Sequence, residues 1–164
     1  MDLGPVVGPN VTFFGERLGC KIILEDLFGD LERYPKNAET PFAEYLKTRL
    51  KHEDGSVDGI LCWNFFDYLD LPSANALAAA LKKVLRPDGA LLAFFTTVGV
   101  ADGRFSKYVI MSEDSVKQRP YSSGGRKQTA FPNRDIIRMF EGLNVAESFL
   151  LKNSTREILL RKRS

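Results

Sequence analysis

A chain of 164 residues, 44% of them hydrophobic, has the size and composition of one domain built around one core. Its 23 Lys and Arg against 21 Asp and Glu leave a net charge of +2, too balanced to point to nucleic acid or a membrane surface as partner. Cys20 and Cys62 lie in or beside apolar runs without CxxC spacing, which predicts buried free thiols in a reducing cytoplasm and no metal site, and no apolar run reaches the roughly 18 to 20 residues of a membrane span.

The opening, Met1-Asp2-Leu3-Gly4-Pro5-Val6-Val7-Gly8-Pro9-Asn10, places an acidic residue and two glycines ahead of an apolar helical stretch. That pattern predicts a strand-to-helix turn built for close approach by a nucleoside cofactor, because Gly4 and Gly8 lack Cβ and can take φ > 0. The strand that would deliver Asp2 to this turn lies before Met1, so that strand is expected to be very short or missing. Val11 to Leu18 then has helical spacing, with Asn10 as N-cap and Gly19 past its end. Lys21 to Leu24 predicts a buried parallel strand ending in Glu25-Asp26. A carboxylate at the end of a second strand is where a doubly wound domain bonds the ribose hydroxyls of its cofactor; the alternative is that both acids cap the next helix.

Leu27 to Tyr34 begins a helix that Pro35 breaks, and Thr40 caps another that starts at Pro41. No convincing strand is visible between Asp26 and Asp54, so a third strand is degenerate or absent, and His52 reads as a solvated surface residue. Val57 to Trp63 predicts a central strand. Its end, Trp63-Asn64-Phe65-Phe66-Asp67-Tyr68, is more polar than a buried strand needs, and Asn64 can both donate and accept toward a zwitterionic ligand tail or a hydroxyl. Phe65 and Phe66 are assigned to packing. Ser73 caps an alanine-rich helix to Leu85, Arg86 to Gly89 turn the chain, and Ala90 to Phe95 form the next strand.

From Thr96 to Pro132 the pattern loosens, with a strand at Lys107 to Met111 and a mobile-looking run at 121–127. Such a segment is either a substrate-side insertion or a surface loop. Asn133 caps a helix to Gly142. The last two strands, 144–151 and 156–160, are joined too tightly to be parallel, so they form an antiparallel hairpin. The basic end, Arg161-Lys162-Arg163, is assigned to solvent. The expected fold is therefore α/β and Rossmann-like: a mostly parallel sheet with helices on both faces and a C-terminal antiparallel strand hairpin.

Three stretches in this order resemble the class I S-adenosylmethionine-dependent methyltransferase family. Asp2-Leu3-Gly4-Pro5-Val6-Val7-Gly8 is similar to its acidic glycine-rich motif, Val57 to Asn64 to its fourth strand and the polar residue after it, and Val84 to Leu91 to the turn before its fifth strand. The resemblance implies one domain over 1–164, with 96–132 as the substrate-side insertion, that transfers a methyl group from S-adenosylmethionine to an unidentified small-molecule or protein nucleophile. It implies that Asp2, Gly4 and Gly8 line the methionine and ribose end of the cofactor, that Glu25 or Asp26 holds the ribose hydroxyls, and that Trp63 and Asn64 border the sulfonium. Asp67 and Tyr68 are the nearest candidates for a base. A small-molecule acceptor is the expected partner, with neither membrane nor nucleic acid. The chain departs from the family pattern at Val6, where a glycine is common, in lacking a clear acidic residue after a third strand, and in lacking the helix and most of the strand that open the fold. A second reading follows from those departures: a shortened methyltransferase-fold protein acting as a non-catalytic binding or interaction module. A nicotinamide-dependent oxidoreductase would need a tighter G-x-G-x-x-G turn than Gly4 to Gly8 supplies.

Overall fold

Val57–Trp63 form β1, and its register against β2, Leu85–Thr96, is parallel, with Gly59 beside Ala90 and Leu61 beside Leu92. These observations come from a computed structural model that describes residues 1–99, 103–121 and 126–164. The expected turn at Arg86 to Gly89 is accommodated inside β2 as an irregularity, because Val57 pairs with Leu85 while Gly59 already pairs with Ala90. β5 (Leu143–Leu150) and β6 (Thr155–Lys162) are the antiparallel hairpin expected from the sequence, and β6 pairs antiparallel with β2. The order across the sheet is β1-β2-β6-β5.

On the free side of β1 the chain's first residues continue the sheet as single bridges. Asp2 bridges in parallel to both Leu24 and Leu61, with Asp2 N donating to Ile23 O at 2.8 Å and Leu3 N to Leu61 O at 3.0 Å. Two residues thus do the work of the first strand, and Ile23-Leu24 that of the second. Among the described residues, no strand lies between Leu24 and Val57. That segment instead carries α2 (Leu27–Arg33) and α3 (Phe42–Arg49).

Strand alternation sends Ile60, Cys62, Leu91, Ala93, Phe95, Ile158 and Leu160 to one face of the sheet, where they join the main core. Helices α2, α3, α4 (Leu71–Val84) and α5 (Asn133–Met139) contribute Phe28, Leu46, Leu77, Leu81, Ile136 and Met139 to it. The opposite face holds a smaller cluster of Trp63, Phe94 and Tyr108, flanked by Leu61, Leu92 and Ile110. Its cover is α1 (Gly8–Thr12), a π-helical turn at Phe13–Arg17, and the hairpin of β3 (Ser106–Ser112) and β4 (Ser115–Pro120). The strand expected at Lys107 to Met111 is therefore present, as part of a two-stranded sheet. Of the run at 121–127, residues 122–125 lie outside the described residues.

Helix starts differ from expectation in a consistent way. Asp70, not Ser73, caps α4, its carboxylate accepting from Ser73 N at 2.9 Å. Thr40 and Asn133 make no capping bond, since α3 and α5 start one residue after Pro41 and Pro132 respectively. Asn10 is no cap either but a buried residue inside α1. Cys62 is buried as expected, whereas Cys20 is exposed, because residues 18–21 run over the surface after the π turn.

Candidate functional site

The carboxyl ends of the short first strand, Ile23-Leu24 and β1 meet at Asp2, which is only 4% exposed. Its Oδ1 accepts from Gly4 N at 2.8 Å and from Trp63 Nε1 at 2.7 Å. Burial raises the Asp2 pKa, while these two bonds and the chain's amino group oppose the rise. The charge of Asp26 adds to the rise.

Gly4 is needed here for space. A Cβ on Gly4 would stand 2.9 Å from Trp63 Cδ1, 3.0 Å from Trp63 Nε1 and 3.1 Å from Asp2 Oδ1. Neither Gly4 nor Gly8 has positive φ, which corrects the conformational reason given for them; Gly8 opens α1 on the surface with open space around its missing Cβ. The close approach to Gly4 is made by the indole of Trp63. Trp63 itself holds φ at 51°, a left-handed conformation that a bulky residue adopts only when its surroundings enforce it. What enforces it is visible: the Asp2 bond, a parallel stack on Tyr108 with centroids 5.2 Å and planes 4° apart, and a tilted contact with Phe94 at 5.9 Å.

The two acids after Leu24 part company. Glu25 is clamped by the protein's own cations, with Oε2 accepting from Arg49 Nη1 at 2.6 Å, its carbonyl oxygen from Arg49 Nη2 at 2.8 Å, and Oε1 bonded to His52 Nε2. Arg49 also donates to Asp30 at 2.6 Å. His52 is thus a half-buried partner of Glu25 and not the solvated residue its charged neighbours suggested. Asp26, in a left-handed conformation, accepts from Gly29 N at 3.1 Å and caps α2.

Beyond β1, Asn64 is 4% exposed, with Nδ2 directed at the Tyr68 hydroxyl at 3.4 Å and Oδ1 buried without a partner among the described residues. Tyr68 donates to Arg104 O at 2.7 Å and accepts from Gln128 Nε2 at 2.9 Å. Burial pushes its phenol pKa up, the opposite of what a phenolate base requires. Asp67, 2% exposed, directs both carboxylate oxygens at Thr96 N, at 2.9 and 3.1 Å, and burial pushes its pKa up to about 8. Both base candidates are therefore turned into the molecule and engaged in holding the insertion to the end of β2.

Sequence reading did not find Asn10, whose Nδ2 donates to Tyr108 O and whose Oδ1 accepts from Ile110 N, each at 2.8 Å. A local scan assigns such a residue to a cap, since its partners lie about a hundred positions away. Among the described residues, no cluster of His, Cys, Asp and Glu is arranged to hold a metal ion, and no helix is long and apolar enough to cross a membrane.

A sheet whose parallel strands converge on an acidic glycine turn, extended by an antiparallel hairpin, defines an α/β protein with the class I S-adenosylmethionine-dependent methyltransferase fold. The chain is similar to a protein from Pyrococcus horikoshii OT3, with a TM-score of 0.55 and 13% identity over 93% of this chain and 76% of that one. It is also similar to an S-adenosylmethionine-dependent methyltransferase from Clostridium acetobutylicum, with a TM-score of 0.50 and 13% identity over 85% of this chain and 70% of that one. No family model and no curated protein matches the sequence.

Proposed function

We propose that this chain binds S-adenosylmethionine at the turn formed by Asp2 to Gly4 and transfers its methyl group to a small-molecule or protein nucleophile. The observation that carries the reading is the Asn64 amide oxygen, buried and, among the described residues, unpaired just past the end of β1, one residue after the Trp63 that bonds Asp2. A buried acceptor without a donor costs roughly 1 to 3 kcal/mol, and the ammonium or hydroxyl groups of an adenosyl amino acid are suitable donors. The residues fit such a group: Asp2 and Asn64 would hold its charged amino-acid end, and Asp26, which is bonded only to Gly29 N among the described residues, would take the ribose in preference to Glu25, whose oxygens are already bonded to Arg49 and His52. The similarity to a methyltransferase of C. acetobutylicum supports the reading.

When bound, the cofactor supplies a methyl group on a positively charged sulfur. What these residues add is position, since alignment of two reactants is worth roughly 7 to 11 kcal/mol of a barrier. Asp67, held protonated up to about pH 8, and Tyr68, already bonded to Arg104 O and Gln128, are not suited to removing a proton from the acceptor.

A second reading, a non-catalytic interaction module, is favoured by one contact: the Trp63 indole already occupies the approach to Gly4. Calorimetric titration with S-adenosylhomocysteine separates the two. Cofactor binding predicts a measurable affinity that Asn64→Leu and Asp26→Asn each weaken by about tenfold, while Glu25→Gln leaves it unchanged. No heat of binding with either S-adenosylhomocysteine or S-adenosylmethionine would leave the interaction module as the reading.

A further inference from the structure

At the opposite edge of the sheet from Asp2, α5 and the β5–β6 hairpin enclose a groove of about 180 Å³. Its floor is apolar, with Phe140, Ile158 and Leu160 all 5% exposed or less, and its rim carries Ile137 and Val145, which are 64% and 54% exposed. Alternation along β6 puts Arg156 on the same face as Ile158 and Leu160, at the end of the groove nearest the hairpin turn. Arg156 is half-buried, and among the described residues its guanidinium forms no ion pair and no hydrogen bond, its backbone alone being bonded in the sheet. None of the groove's lining residues is acidic.

A guanidinium beside an apolar floor, with no acidic residue lining the groove, is the complement of an anion whose remainder is apolar. The volume sets the size of that remainder, because a dry cavity of about 150 Å³ accommodates benzene. The groove therefore suits one aromatic ring or a short alkyl chain and is too small for a helix. We propose that this groove is a binding site for an amphipathic monocarboxylate, with the carboxylate on Arg156 and the ring or chain against Phe140, Ile158 and Leu160. The site is separate from the methyl-transfer reading and does not depend on it.

The test is titration of the full chain with sodium octanoate, octan-1-ol and octylamine, followed by amide chemical-shift changes and Kd. Octanoate should shift resonances of Ile137, Val145, Ser148 and Leu160 and bind about tenfold more tightly than octan-1-ol, with octylamine weakest. Arg156→Gln should abolish the advantage of octanoate while leaving octan-1-ol binding as it was. Ile137→Glu, at an exposed position that folding does not need, should weaken octanoate selectively. Equal affinity for octanoate and octan-1-ol, shifts confined to other parts of the chain, or a self-associated chain whose Arg156 face is covered by a second copy would each overturn the proposal.

Discussion

The contact between Gly4 and Trp63 shows how one missing side chain fixes three others. Because Gly4 has no Cβ, the indole can lie flat enough to donate to Asp2 and still stack on Tyr108. Gly4→Ala would push the indole away by several tenths of an ångström or more, and we expect it to cost about 1 to 3 kcal/mol in urea unfolding. Trp63 is the only tryptophan, so its emission should move to the red in the folded variant; unchanged emission and stability would show that the indole does not rest there. Asp67 offers a second residue-scale test. Its pKa rises from an ordinary 3.8 to about 8 because burial disfavours the charged form. Between those values the unfolded chain releases the proton that the folded chain keeps, so stability is full below about pH 4 and falls as pH rises toward 8. Asp67→Asn, which keeps an oxygen for Thr96 N, should flatten that slope. A residual slope of the same sign remains from Asp2, whose pKa burial also raises. Urea midpoints measured from pH 4 to 8 for both proteins decide the matter.

Polar side chains tie some elements of this protein to one another, and α1 is the clearest case. It has five residues and no capping side chain, so it has little stability of its own. Asn10 fastens it to β3 by satisfying Tyr108 O and Ile110 N. Asn10→Ala leaves both backbone groups of β3 without their partner, and about 2 kcal/mol of stability should be lost, with faster amide exchange at Ile110 as its specific signature. Equal exchange rates in the two proteins would show that α1 is held by something else. The same feature explains what could be read from the sequence. β1, β2 and the terminal hairpin carry their own period and turn signals, and their places were legible. Glu25, Arg49 and His52 form a clamp across 27 positions, and no local pattern connects them. The sequence left the two acids after Leu24 equivalent, and what separates them is Arg49, which sits on α3 and engages Glu25 alone of the pair.

Across the whole molecule the sheet has two unequal faces. One meets four helices and holds nearly all the fully buried side chains; the other meets a five-residue helix, a π turn and a hairpin. The sequence predicted helices on both faces, as continuous apolar runs in a central strand imply, and such runs carry no measure of how much covers each face. Adjacent residues of β2 sample the difference directly. Leu91 is fully buried in the main core, and Leu92 is half-buried in the smaller cluster. Leu91→Ala removes methylene groups from a closed interior and leaves a cavity, so we expect a loss of about 3 kcal/mol. Leu92→Ala removes the same atoms from a half-buried site that water can partly fill, so the loss should be about 1 kcal/mol. Urea denaturation of the two variants, with equal m-values, tests the asymmetry. Equal losses would mean that the second face is as well sealed as the first, and the indole of Trp63 would then rest in a closed core with no path by which a ligand could reach Asp2.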